Sequence, residues 1–264
     1  MIKKILYFLD KYIDLNILRK ILHQYRFFIF KIQYIIQSSL LSGNQKKKKE
    51  IILNSLPYSM AGIEALDNCY EMTSYINKRN LKGDICEFGV AKGGCSLAIA
   101  LTERLLNGEL KRNIFLFDSF AGLPAPSIEK DFDNQGSIGK VLFPMKKGSL
   151  VSKMKEVQDL FYNKYNFPKN KIIFIKGFFE ETAENYKNKI GNLSMLRLDG
   201  DWYYSVYIPL KFYYEKLVSG GVIIVDDYRT CVGAENAVKD FEEQINTKFD
   251  IKNYGKGGIY FLKP

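Results

Sequence analysis

Histidine is nearly absent from this 264-residue chain. His23 stands alone, so a histidine-rich zinc site is excluded and a histidine triad could draw only on that one residue. The four cysteines, Cys69, Cys86, Cys95 and Cys231, form no CxxC pair, which removes the usual zinc and redox signatures. No apolar run reaches the roughly 18–20 residues of a membrane span. A Sec-type leader is not expected either, because Asp10 and Lys11 interrupt the early apolar stretch and no small-residue cleavage site follows. These scarcities point to a reduced, cytoplasmic protein.

Acidic residues are also under-supplied, with 29 Asp/Glu against 39 Lys/Arg and a formal net charge of +10. The imbalance is local. Residues 1–50 carry 11 basic and 3 acidic side chains, whereas the remainder carries 28 and 26. A nearly neutral main body argues against nucleic acid as the partner. What the chain has in quantity is apolar and aromatic side chains, 47% and 14%, enough for a sizeable core.

The first forty residues repeat apolar positions at three and four spacings (Ile5, Leu6, Leu9, Ile13) with Lys and Arg between them, which predicts a basic amphipathic helical arm. The polar stretch SGNQKKKKE at 42–50 reads as a break and linker, giving an arm of residues 1–50 and a main domain of residues 55–264. Within the latter, strand-like runs at 85–89, 113–118, 171–176, 195–199 and 222–227 alternate with helical patterns near 94–107, 150–165, 181–190, 204–217 and 233–246. Such alternation predicts a parallel sheet with helices on both faces. FDIKNYGKGGIYFLK at the end reads as an antiparallel hairpin. The expected fold is therefore a seven-stranded, mostly parallel α/β sheet closed by a hairpin.

Ligands of open parallel sheets bind beyond the carboxyl ends of the strands. After the first strand, Gly89, Gly93 and Gly94 permit a tight turn in which backbone can approach a ligand. The second strand ends at Asp118, which reads as a partner for a ribose hydroxyl pair or as a helix N-cap. The fourth and fifth end in Asp199, Asp201, Asp226 and Asp227. Four converging carboxylates repel one another unless a cation sits among them, and oxygen donors suit Mg²⁺ better than zinc. Helix capping is the alternative for some of them. An Asp pair after an apolar strand also suits a Walker B element, but no Walker A loop accompanies it.

GDICEFGVAKGGCS, FLFDSFAGLP, FIKGFFEET, LRLDGDWYYS and GGVIIVDDY, in this order, together with SMAGIEALDNC at 59–69, resemble the macrocin O-methyltransferase (TylF/MycF-type) family from about residue 55 onward. The resemblance implies a Rossmann-like class I methyltransferase that transfers a methyl group from S-adenosylmethionine to a sugar hydroxyl with the help of Mg²⁺. It implies Glu87 and Gly89 at the methionine end of the cofactor, Asp118 at the ribose, and Phe178 and Phe179 about the adenine, with Glu180 nearby. Gly93, Ser96, Ser119, Gly177 and Asp199 complete that cofactor site. Asp199, Asp226 and Asp227 are implied as metal ligands and Asp201 as general base. Ala91 and Lys92 depart from the family's usual Trp or Arg after the first motif. Trp202 stands where related catechol enzymes carry a catalytic lysine, which disfavours lysine-based catechol chemistry. A phenolic or other small hydroxylated acceptor, or a non-catalytic module tethered by the arm, remain the alternatives.

Residues 119–148 show little periodicity and read as a lid over the acceptor. The arm fits either a second subunit or shallow insertion into an anionic membrane. The dense run Phe27, Phe28, Phe30, Ile32, Tyr34, Ile35 and Ile36 favours subunit contact, and hence a homo-oligomer.

Overall fold

The computed structural model describes residues 16–38, 41–141 and 145–264. The helical pattern expected over residues 1–15 and the lid positions 142–144 lie outside the described residues. Helices α1 (Asn16–Ser38), α2 (Gly43–Ser55) and α3 (Ile63–Lys78) lead into β1 (Asp84–Phe88), α4 (Gly94–Asn107) and β2 (Ile114–Asp118). There follow α5 (Met154–Asp159), β3 (Ile172–Lys176), α6 (Phe179–Lys187), β4 (Leu193–Leu198), α7 (Tyr203–Tyr213), β5 (Leu217–Val225), α8 (Val232–Gln244), β6 (Lys252–Tyr254) and β7 (Gly258–Leu262).

The seven strands run in the order β3-β2-β1-β4-β5-β7-β6. The first five are parallel, and β7 pairs antiparallel with both β5 and β6. The order reverses between β1 and β4, the switch point at which ligands of such sheets bind. This is the Rossmann-like architecture expected. Side chains alternate between two cores. Ile85, Leu116, Met195 and Ile224 face α3 and α4, while Cys86, Phe117, Leu196 and Val225 face α6, α7 and α8. Every residue of β4 is buried, as a central strand covered on both faces must be.

One expectation needs correction. The stretch read as a linker, 42–50, supplies the first turns of α2. Lys48 reaches Asp67 and Glu71 of α3 at 2.8 and 2.5 Å, and Ile51 and Ile52 enter the core a turn later. Lysine is a good helix former, and here its charge meets acids that lie some twenty residues away in sequence. Two other elements differ in extent. The pattern near 150–165 becomes α5 followed by a π-helical turn over Leu160–Lys164, and β5 starts at Leu217 and runs through Gly220 and Gly221.

Gly89 follows β1 at φ +94°, and a Cβ there would sit 1.8 Å from the Asp199 carbonyl oxygen. Only glycine lets the ends of β1 and β4 come this close. Gly89→Ala should therefore lower stability by at least ~2 kcal/mol. Gly108→Ala, at φ +79° with open space around it, should cost about 1 kcal/mol. Urea unfolding of both variants checks the difference, and equal losses would show that the close approach at Gly89 carries no cost of its own.

Candidate active site

The ladder continues past the strand ends and aligns the loops that follow. Gly89 N donates to Phe117 O at 2.9 Å, Asp199 N to Phe88 O at 2.8 Å, Asp226 N to Leu198 O at 3.0 Å, and Gly177 N to Asp118 O at 3.0 Å. The glycine-rich turn, Asp118, Asp199 and the Asp226–Asp227 pair thus share one edge of the sheet.

Beneath that edge lies Arg197. Register pairs it with Glu87 across β1 and β4, and both side chains are buried. Its Nη1 donates to Glu87 Oε1 at 2.7 Å and to Asp199 Oδ2 at 2.8 Å, and Nη2 lies 3.3 Å from Asp226 Oδ1. The Ser96 hydroxyl donates to the other Glu87 oxygen, and the Tyr254 hydroxyl donates to Asp226. Burial raises the Glu87 carboxyl to about 7 although Arg197 and Ser96 favour its ionised form. Burial, then Asp199, raises Asp226 to about 6. Asp227 is pushed well above the ordinary carboxylate range by burial and by Asp201, Asp199 and Asp226.

Asp199, Asp226 and Asp227 each offer an oxygen, and these atoms all lie within 4.8 Å of one another. One guanidinium cannot neutralise so many acids, and an all-oxygen set of this kind suits a hard divalent cation. Asp201, Asp227 and Cys231 form a second cluster of the same tightness. Asp201 is buried with φ +64°, a left-handed conformation that costs energy for a residue other than glycine. The Cys231 thiol donates to its Oδ1 at 4.0 Å.

The segment expected to be a lid holds this strained turn in place. Trp202 Nε1 donates to Pro124 O at 3.1 Å. Tyr203 N, at the start of α7, donates to Asp131 Oδ1 at 2.6 Å, and Ser127 N donates to Asp131 Oδ2 at 2.6 Å. A Cβ on Gly233 would sit 1.7 Å from Asp131 Oδ1, so α8 closes the Asp131 pocket from the far side. Lys140 N donates to Thr230 O at 2.7 Å and ties the segment to the loop after β5.

The expected cofactor residues are placed less uniformly. Asp118 accepts from Val90 N, Ala91 N and Phe120 N at 2.8, 2.9 and 2.7 Å, so its carboxylate braces the glycine-rich turn as well as lying at the edge. Burial raises its pKa. Ser119 donates to Gly122 O at 2.8 Å. Glu87 and Ser96 are buried and bonded to each other, which leaves them beneath the site rather than on its surface. Gly93 caps α4 at φ +86°. Gly177 leads into α6, where Phe178 is half-buried and Glu180 exposed. Phe179 instead packs edge-on against Phe88 with centroids 5.2 Å apart, a core position rather than one beside Phe178.

A family model described as macrocin-O-methyltransferase (TylF) matches residues 9–263. The chain belongs to the TylF family. As a TylF-family member it is an S-adenosylmethionine-dependent O-methyltransferase. It is 28% identical over 214 residues to the demethyldecarbamoylnovobiocin O-methyltransferase of Streptomyces niveus, covering 78% of this chain and 76% of that one. To the mycinamicin III 3''-O-methyltransferase of Micromonospora griseorubida it is 26% identical over 217 residues, covering 79% and 80%. Among solved structures, the O-methyltransferase NovP superposes with a TM-score of 0.65 at 28% identity, covering 78% of this chain and 82% of that one. The calicheamicin methyltransferase CalS11 shares the fold at 14% identity, with a TM-score of 0.61 and coverage of 84% and 94%.

Sequence reasoning missed two residues of this TylF-family site. Arg197 had a signal, a lone cation inside an apolar strand. Asp131 had none, being one acid in an aperiodic loop.

Arg197→Met should destabilise the protein by roughly 3–5 kcal/mol, because it leaves Glu87 buried without a cation. Arg197→Lys should recover only part, since one compact ammonium cannot span from Glu87 and Asp199 to Asp226 as the two guanidinium nitrogens do. Denaturant titration decides, and a loss below about 1 kcal/mol would show that the pair is dispensable.

The raised carboxyls also set a pH dependence. Folded values of about 6 for Asp226 and about 7 for Glu87 exceed the ~4 of an unfolded chain. The folded state thus binds more protons, and that stabilisation is present below about pH 4 and is lost as pH rises through 6 and 7. In EDTA, stability should fall between pH 5 and pH 7.5, with the fall reduced by added Mg²⁺. A rise over that window would contradict the assignment.

Proposed function

We propose that the chain methylates a hydroxyl of a sugar or saccharide-like acceptor, with S-adenosylmethionine as methyl donor and Mg²⁺ as resident ion. The observation that carries the reading is the convergence of Asp199, Asp226 and Asp227 within 4.8 Å beside Asp201. The names of the relatives support the acceptor class. One is a 4'-O-methyltransferase of a rhamnosyl-tetracenomycin from Streptomyces olivaceus, 27% identical over 207 residues. We assign the chemistry to residues 55–264 and take the protein to be cytoplasmic. The four cysteines are buried and free, and among the described residues no helix is long and apolar enough to cross a membrane.

Asp199, Asp226 and Asp227 would hold the metal. Bound there, a divalent cation would lower the pKa of an acceptor hydroxyl and fix its orientation. Asp201 would take the proton of the acceptor hydroxyl, and S-adenosylmethionine, when bound, would supply the methyl group and leave as a neutral thioether. Gly89, Gly93, Asp118, Ser119, Gly177 and Phe178 line the donor side. Glu87, Ser96 and Phe179 act from beneath, Glu87 and Ser96 by fixing Arg197 and the end of β1. Trp202 and Asp131 keep the Asp201 turn in its left-handed conformation and help exclude water.

Methyl transfer over a panel of nucleotide-linked sugars and saccharides, with Mg²⁺ or with EDTA, tests the reading. Turnover should require the ion, and full activity in EDTA would overturn the metal assignment. Asp201→Asn should lower kcat by about 10²–10⁴ with metal affinity nearly intact. If metal affinity collapses instead, Asp201 is a ligand and the base lies elsewhere.

A further inference from the structure

The dense apolar run of the arm is divided in two by the fold. Phe30 is buried in the core shared with α3 and α4, and Phe27 packs against it. Tyr34 donates to Glu50 Oε1 at 3.4 Å. That face of α1 is docked on its own domain. On the opposite face Ile21, Leu22, Tyr25, Phe28, Ile32 and Ile36 stand in solvent, from 37% exposed at Ile32 to 67% at Ile36. At 3.6 residues per turn they cover an arc of about 120° over a length of about 22 Å. An apolar stripe of that width needs a cover.

Charge says which cover. Helix α1 carries Arg19, Lys20, Arg26 and Lys31 and no Asp or Glu. Arg26 and Lys31 are exposed and flank the stripe on its two borders. Lys46 and Lys47 are exposed at the start of α2. A second copy offering the same stripe would bring these cationic borders together with no acid on the helix to meet them. An anionic lipid surface supplies both the opposite charge and the apolar phase. The rest of the chain, with 28 basic and 26 acidic residues beyond position 50, has no comparable excess.

We propose that α1 lies in the headgroup–acyl boundary of an anionic bilayer with its apolar stripe inward, holding the methyltransferase domain at the membrane surface. Phe28 and Ile36 enter the acyl region, while Lys31 extends toward lipid phosphates; the Arg26 guanidinium rests against Gly62 of the same domain. This does not depend on the acceptor or the metal proposed above.

The test uses the full chain with sedimenting vesicles, one set of phosphatidylcholine and one with about one-third phosphatidylglycerol. Binding to the anionic set should be at least about tenfold stronger and should weaken steeply as NaCl is raised to ~0.5 M. The double variant Phe28→Asp/Ile36→Asp should lose vesicle binding and keep the wild-type thermal midpoint, since both side chains are exposed. Absence of binding to the anionic vesicles, or equal binding to both sets, overturns the proposal. If light scattering instead shows a wild-type dimer and a monomeric variant, with neither bound to lipid, the stripe is a subunit interface and the proposal fails.

Discussion

A guanidinium with no exposed surface, set among carboxylates from the ends of three strands, is the interaction on which the active edge depends. Arg197 stands opposite Glu87 by strand register, and neither has a route to water. Ionised groups removed from water are tolerable only when paired in good geometry. The pairing therefore links the positions of β1 and β4. Through Asp199 and Asp226 it reaches the loops after β4 and β5. Ser96 on α4 and Tyr254 on β6 satisfy further lone pairs of the same acids. A single side chain thereby sets the spacing of residues drawn from five elements of the fold.

Above this buried layer the geometry is held by backbone donors instead of charge. Asp118 gathers N–H groups from the glycine-rich turn and from its own loop, and Asp131 gathers one from the start of α7 and one from the lid. The two carboxylates perform the same task at different strand ends, closing an irregular loop onto the helix or turn it must face. Contacts from the 119–141 segment to Trp202 and Tyr203 support the left-handed Asp201 turn.

The sheet was legible because its strands are β-branched and aromatic runs bounded by Gly, Asp and Asn, and the boundaries of β1, β2 and β3 fall within a residue of those runs. The metal-competent triad was legible for the same reason, since strand ends in a parallel sheet share an edge. Three things were not. The polar stretch at 42–50 became helix because its partners, Asp67 and Glu71, belong to α3, and pairing across elements has no local signature. The buried bonding of Glu87 to Ser96 and Arg197 was not legible, because it follows from register between β1 and β4. The edge-on contact of Phe179 with Phe88 in the core had no local signature, because adjacent residues at a helix start diverge in direction.

The edge carries more carboxylates than its internal cation, Arg197, pairs with. Arg197 reaches Glu87, Asp199 and Asp226, and Asp227 lies against Asp199, Asp201 and Asp226. Had the chain placed enough cations here to neutralise every acid, the site would have little attraction for an exchangeable ion and no carboxylate ready to accept a proton. Had it placed none, Glu87 could not stay buried and the ends of β1 and β4 would separate. Partial neutralisation meets both demands. Burial first, and repulsion from neighbouring carboxylates second, raises the carboxyls of Asp226 and Asp227; a cation bound there would relieve the repulsive part. If a cation binds these oxygens as proposed, fold stability and cation affinity are coupled through them.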